Sequence, residues 1–217
     1  MMRRAVDGTV AAAGLALAAV PLAISMAAIR ATSRGPVLYR QTRIGRKGRP
    51  FCLYKLRTMR ITTSASGPQV TTAADGRISR VGRVLRQAKL DELPQLWNVL
   101  CGDMGIIGPR PEVPRFVARY TDAERAILEA QPGLASLAQL VYPHEGDLLR
   151  DQVDPEEAYV RYLLPAKLAV DLEYERTRTW RSDARLIVEM ILMIVGLRLR
   201  VDRAIRVPSV DPAPNER

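Results

Sequence analysis

Two adjacent carboxylates, Asp91 and Glu92, stand in the stretch Leu85–Pro111 with cations on both sides: Arg80, Arg83, Arg86 and Lys89 before them, Arg110 after them. Acids set among guanidinium and ammonium groups, with Gly102, Gly105 and Gly108 close by, are residue types that handle phosphate. An aspartate can also ligate a hard divalent ion or attack phosphorus as a nucleophile. Local chemistry predicts a helix here. Asp is a favoured N-cap, Pro94 suits a first turn where its missing N–H costs nothing, and Gly102 closes the far end. The run Leu93, Leu96, Trp97, Val99 and Leu100 supplies a broad apolar side. Two readings of the pair stay open on residue types alone. Asp91 caps the helix and Glu92 complements its dipole, or the pair occupies the place where a helix N-terminus receives phosphate. Both require an ionised Asp91.

The elements around the pair follow from pattern. Pro36–Tyr39 and Phe51–Tyr54 read as strands joined by the basic turn Arg43–Pro50. Lys55 and Arg57 alternate along the second strand, which puts both on one face, either as a solvated basic edge or as a phosphate-facing pair. Residues 61–76 are rich in Thr, Ser and Gly and read as a loop that could cover a site. Ser79–Ala88 is expected to be a helix with Val81, Val84 and Leu85 on one side and Arg80, Arg83 and Arg86 on another. Prolines on both sides of Arg110 stiffen its backbone, as a fixed phosphate clamp requires. Further on, Thr121–Glu124 is a capping box, Asp154 opens another helix, and Pro165 restarts the chain into Ala166–Thr179. Ser182–Val195 is apolar, too short to span a bilayer, and reads either as core or as an interfacial helix.

Charge is distributed unevenly. Residues 1–60 carry twelve Lys/Arg against one acid, Asp7, whereas the remaining 157 residues carry 21 against 22. The whole excess lies beside the most apolar stretch, which points to an anionic membrane surface or to phosphates and argues against nucleic acid. Aromatics make up only 5% of residues, too few for base-stacking platforms. Cys52 and Cys101 have no metal-binding spacing and read as reduced thiols; His144, the single histidine, is a poor basis for a triad. Gly8–Ile29 holds 22 residues without a charge, enough to span a bilayer as a straight helix. By length the straight span is the default reading, while Pro21 within it and basic residues at both ends (Arg3, Arg4; Arg30, Arg34, Arg40) keep open a hairpin with both ends on the cytoplasmic side.

Several stretches together resemble the bacterial sugar transferases, the monotopic phosphoglycosyl transferases. They are Ser33–Gly45, Tyr54–Met59, Leu90–Leu100 with Gly102-Asp103-Met104, Gly108–Pro111 and Gln131–Leu134, which follow in family order. The Asp-Glu-Leu-Pro-Gln block with Gly-Pro-Arg-Pro downstream is the specific part. The resemblance implies transfer of a phospho-sugar from a UDP-sugar donor to a polyprenol phosphate such as undecaprenyl phosphate, with release of UMP. It implies that Asp91 is the nucleophile and a ligand of Mg²⁺, and that Glu92 assists by accepting a proton or orienting the metal. Lys55 and Arg110, with Arg57 and Arg86 beside them, would hold phosphate. It further implies a re-entrant membrane helix broken at Pro21, on the cytoplasmic face of a bacterial inner membrane, and the first membrane step of glycoconjugate or exopolysaccharide assembly. Two departures stand out: Val20 precedes Pro21 where the family has serine, and Leu134–Gln139 replaces a Thr-Gly-Trp-Ala-Gln stretch.

The expected architecture is α+β, mainly amphipathic helices with a small β-hairpin. Residues 1–34 form the anchor, 35–200 the catalytic region and 201–217 a basic, Pro-rich tail. Partners are the UDP-sugar, the polyprenol phosphate and the lipid bilayer, with no nucleic acid; an oligomer is possible but not indicated. The rival reading is a non-catalytic membrane scaffold for a glycan-assembly complex.

Overall fold

Helix α1 (Met2–Thr32) is the longest element in the computed structural model, which describes residues 2–60, 75–150 and 152–196. At the standard rise of about 1.5 Å per residue it is roughly 46 Å long. One face lies against the rest of the chain from end to end. Arg4 donates to the carbonyls of Val99 and Leu100, Asp7 accepts from the Ile106 N–H at 3.3 Å, and Ala11 packs with Leu53, Leu96 and Val99. Further along, a Cβ on Gly14 would lie 3.2 Å from Leu96, and Ile29 packs with Leu56 and Leu85. Steps of three and four residues keep these positions on one stripe. The other face is apolar and uncovered at Val10, Leu17, Val20 and Ile24. The expected break at Pro21 does not occur. Proline removes one backbone hydrogen bond, but the helix continues through it, and the Ser25 hydroxyl donates to the Pro21 carbonyl at 2.7 Å. Both ends of α1 rest on the same body, so the anchor and the catalytic region share one interior.

The hairpin is present and longer than its pattern showed. Strands β1 (Leu38–Ile44) and β2 (Pro50–Leu56) pair antiparallel, with Leu38 opposite Leu56 and Ile44 opposite Pro50. Lys47 and Gly48 turn the chain at φ 58° and 70°. Helix α2 (Arg80–Gln87), capped by Ser79, and helix α3 (Gln95–Cys101), closed by Gly102 at φ 91°, flank the site. Trp97 departs from the apolar side expected of α3: it is half exposed and lines a trough of about 380 Å³ with Leu22, Met26, Leu38, Tyr54 and Pro94.

A second, parallel pair was not foreseen: β3 (Gly105–Ile107) beside β4 (Gly133–Ala135). Three residues per strand leave no alternation to read. The pairing depends on backbones in near contact, since a Cβ on Gly108 would sit 2.1 Å from the Gln131 carbonyl oxygen and one on Gly133 2.0 Å from the Gly108 nitrogen. Short helices α4 (Pro114–Val117), α5 (Asp122–Arg125), α6 (Leu137–Val141) and α7 (Glu145–Leu148) follow the chain around the core. The Thr121–Glu124 capping box is formed as expected, and Ser136 with Gln139 makes another at α6.

Pro165 does not restart the chain. Helix α8 (Pro155–Ala158), a π-turn over Tyr159–Leu163 and α9 (Leu164–Thr177) run on from one another. The wider turn lies where the prolyl nitrogen has no proton for the fourth carbonyl back. Helix α10 (Trp180–Ile194) closes the body; Leu186 is buried, while Val188, Ile191 and Ile194 are uncovered. Tyr159, Leu163 and Phe116 centre one hydrophobic cluster, and Ala138, Val170 and Leu186 another. Positions 61–74, which hold nearly all of the expected covering loop, and the tail 201–217 lie outside the described residues.

Candidate active site

The chain arrives at the carboxylate pair through a constrained turn. Lys89 is left-handed at φ 55°, ψ 17°, a conformation that costs a non-glycine residue about 1–2 kcal/mol. Leu90–Glu92 then forms a 3₁₀ turn before α3. Asp91 is therefore not the N-cap of α3, which starts at Gln95 behind Pro94 without a side-chain cap. The first-turn amides are used in short turns instead, Leu93 to the Leu90 carbonyl and Leu96 to that of Leu93. Freed from capping, the Asp91 carboxylate is 7% exposed and has no hydrogen-bond partner among the described residues. Burial and the neighbouring Glu92 charge push it above the ordinary carboxylate range, against the pull of Lys55, Arg86 and Lys89.

Glu92 is the opposite case. Arg110 grips it with both guanidinium nitrogens, Nη2 to Oε1 at 2.5 Å and Nη1 to Oε2 at 3.3 Å, and Lys55 Nζ reaches Oε1 at 3.2 Å. Burial pushes its carboxyl up, but Arg110, Lys55 and Lys89 together hold it well below the usual range. A carboxylate so held is a weak base, so Glu92 fits the task of anchoring Arg110 and Lys55 better than that of taking a proton. Burial lowers the Lys55 ammonium to about 8 despite the opposing Glu92 charge. Lys55 and Arg110 thus meet at the site as expected, but on Glu92.

Arg57 and Arg86 do not join them. The Arg57 guanidinium is buried and donates to the Arg34 carbonyl at 2.7 Å and to the Ser33 carbonyl and hydroxyl at 3.1 and 2.7 Å, where it secures the exit from α1. The alternation that seemed to pair it with Lys55 ends with the strand at Leu56. Arg86 donates from Nε to the Thr58 hydroxyl at 2.8 Å and senses Asp91 only through its charge. Arg80 and Arg83 are exposed, as is His144.

Sequence reasoning missed Asn98. Its buried amide accepts from Tyr54 N–H at 3.2 Å and donates to the Cys52 carbonyl at 2.7 Å and to Asp103 at 3.1 Å, fastening α3 to the strand that carries Lys55. Gln95 is wholly buried with neither amide atom partnered among the described residues. Asparagine and glutamine in a helix carry no local signal of such roles. Cys52 and Cys101 are free thiols, both exposed.

No cluster of three His, Cys, Asp or Glu groups converges as a metal cage among the described residues. A magnesium ion does not need one, since it takes one or two carboxylates and completes its shell with water and substrate phosphate. The unpartnered Asp91 carboxylate fits that donor set.

The bacterial sugar transferase family matches residues 1–196. A UDP-glucose:undecaprenyl-phosphate glucose-1-phosphate transferase of Caulobacter vibrioides is 38% identical over 204 residues, 88% of this chain and 68% of that protein. A UDP-N-acetylgalactosamine-undecaprenyl-phosphate N-acetylgalactosaminephosphotransferase of Aeromonas hydrophila is 39% identical over 65% of this chain and 35% of its own. A UDP-glucose:undecaprenyl-phosphate glucose-1-phosphate transferase of Escherichia coli is 35% identical over 64% of this chain and 31% of its own. The chain thus spans about two thirds of the first of these relatives and about a third of the other two.

Proposed function

Because the chain belongs to the bacterial sugar transferase family, we propose that it moves a phospho-sugar from a UDP-sugar to undecaprenyl phosphate or a similar polyprenol phosphate. The observation that carries the reading is the asymmetry of the pair: Asp91 buried and unpartnered among the described residues, Glu92 holding two cations beside it.

In the first half-reaction an Asp91 oxygen attacks the phosphorus that bears the sugar. A P–O bond to Asp91 forms as the bond to UMP breaks. In the second, an oxygen of the polyprenol phosphate attacks the same phosphorus, and Asp91 leaves as carboxylate. Dividing one displacement into two predicts ping-pong kinetics. Lys55 and Arg110 would exchange Glu92 for phosphate oxygens and neutralise charge that builds up during transfer. Mg²⁺ held by Asp91 and the diphosphate would supply further neutralisation. The trough beside Pro94 and Trp97, open and apolar, is suited to an isoprenoid chain. The uncovered face of α1 would enter the inner leaflet with both helix ends on the cytoplasmic side, in keeping with the basic flanks. On this reading the reaction takes place at the cytoplasmic face of an inner membrane, at the first lipid-linked step of glycoconjugate assembly.

Intact mass of the purified chain with Mg²⁺ and a panel of UDP-sugars, without lipid, tests the reading. A phospho-sugar adduct on wild type that is absent from Asp91→Ala is expected, with UMP as the nucleotide released. No adduct with any donor, and no UMP even with polyprenol phosphate added, would return the chain to the scaffold reading.

A further inference from the structure

The two cations that hold Glu92 come from different parts of the chain, Lys55 from strand β2 and Arg110 from the loop after β3. Their separation is set by whatever fastens that loop to the hairpin. Strand register supplies the place. Arg43 lies opposite Phe51, Gln41 opposite Leu53 and Tyr39 opposite Lys55, so Arg43, Gln41 and Lys55 share one face of the hairpin.

The Arg43 side chain reaches from that face to the Arg110 segment. Its Nη1 donates to the Pro111 carbonyl at 2.9 Å and to the Glu112 carboxylate at 3.4 Å. Nε and Nη2 donate to the Gln41 oxygen at 3.0 and 2.8 Å, which fixes the plane of the guanidinium. Beside it the Ile44 N–H donates to the Glu112 carbonyl at 2.9 Å. Glu112 is buried, and its other carboxylate oxygen accepts from the Tyr159 hydroxyl at 2.5 Å. On the far side of Arg110 the Gly133 N–H donates to the Pro109 carbonyl at 2.9 Å. Arg110 thus stands between two anchored carbonyls, on a backbone stiffened by a proline at each side. One anchor is a backbone amide of β4; the other is a side chain, which a substitution can remove. Lysine at position 43 would keep the charge but lacks the planar fork that serves Pro111, Glu112 and Gln41 at once.

We propose that Arg43 is a positioning residue: by fastening the Pro111 carbonyl to the hairpin it sets the separation of Arg110 and Lys55, and so the width of the cationic clamp that phosphate enters when it displaces Glu92. The inference rests on the transferase reading for its consequence in turnover, and on the hydrogen bonds of Arg43 for the link itself.

Arg43→Lys tests both parts, because it leaves a cation beside the buried Glu112 and removes the fork. UMP release should fall roughly tenfold in the wild-type background and less than about twofold in an Arg110→Ala background, since residues that act through one another are not additive. An equal factor in both backgrounds overturns the proposal: Arg43 would then act on the substrate by itself or on the fold as a whole. Wild-type turnover in Arg43→Lys overturns it too. Amide exchange tests the link without turnover, and decides it if Arg110→Ala is too slow to assay. The Gly133 N–H, which reports on the far end of the segment, should exchange faster in Arg43→Lys, while the Gly102 N–H that closes α3 keeps its wild-type rate. Unchanged exchange at Gly133, or protection lost at both amides, overturns the link. Should Arg43→Lys fail to fold, Gln41→Ala, which leaves the cation in place and removes the oxygen that orients it, serves in the same comparisons. Wild type that neither forms the adduct nor releases UMP sinks the transferase reading instead, and exchange at Gly133 then still decides whether Arg43 holds the segment.

Discussion

Asp91 and Glu92 are alike in chemistry and opposite in circumstance. One is buried without a partner among the described residues and is pushed toward neutrality; the other is buried between two cations and held ionised. Their pH behaviour follows. Asp91 must be ionised to attack, and its raised pKa places the acid limb of kcat/KM for the donor above that of an ordinary carboxylate. Lys55 must be charged to hold phosphate, and burial has brought it to about 8, so the alkaline limb falls as pH rises through that value. Lys55→Arg keeps its charge far above this range, so its alkaline limb should move to higher pH; a limb that stays in place would remove Lys55 from the phosphate site. The pair, Lys55 and Arg110 were all legible in the sequence, because acids and bases clustered within a few residues are a local signal. Arg57 carries the same local signal and is engaged elsewhere. Charge spacing shows which residues are near one another, but not that a guanidinium will be consumed by the carbonyls of Ser33 and Arg34.

Elements with a local signal were legible too: the hairpin, the Thr121 and Asp154 caps, the glycine stop after α3. What failed depended on distant partners. The β3–β4 pair is settled by contact between segments far apart in sequence. Asn98 is the clearest case, a polar residue in an apolar helix whose partners lie on β2, more than 40 residues earlier. Asn98→Ala leaves the Tyr54 N–H and Cys52 carbonyl unpaired and should cost about 2–4 kcal/mol in a denaturant titration in detergent. Helix α9 carries a second prediction. Burial raises Asp171 from the ordinary 3.8 to about 7, against the Ala138 amide and the Lys167 charge. The folded chain then binds more protons than the unfolded chain between those values, so this group makes stability fall as pH rises across the window. Asp171→Asn removes the titration. Its stability relative to wild type should therefore improve steadily from pH 4 to 7, and a flat difference in thermal melts would show that Asp171 does not titrate there.

At the scale of the whole molecule the N-terminal helix has two faces with different tasks. The stripe through Asp7, Ala11, Gly14 and Ile29 belongs to the protein interior, and the side with Val10, Leu17, Val20 and Ile24 is left for lipid. Leu17→Asp should reduce co-sedimentation with anionic vesicles and leave the melting transition near that of wild type. Ala11→Asp, at a position with no exposure, should unfold or strongly destabilise the chain, by several kcal/mol. Equal loss of vesicle binding without a stability difference would contradict the assignment of faces. Apolarity alone showed that this stretch seeks a membrane, but it could not show that half of it is claimed by the rest of the chain.

That division has a consequence for synthesis. The inward stripe leaves the ribosome before its cover, of which Leu53 follows 42 residues after Ala11 and Leu96, Val99 and Met104 some 85–95 residues after it. At roughly 5–20 residues per second the interval is on the order of 5–20 s. During it the stripe has Leu53 on β2 to lie against but lacks the α3 side of its cover, where lipid or a chaperone must stand in. Building the waiting side from alanine and glycine at positions 11 and 14, rather than from leucine, keeps the apolar area exposed in that interval small.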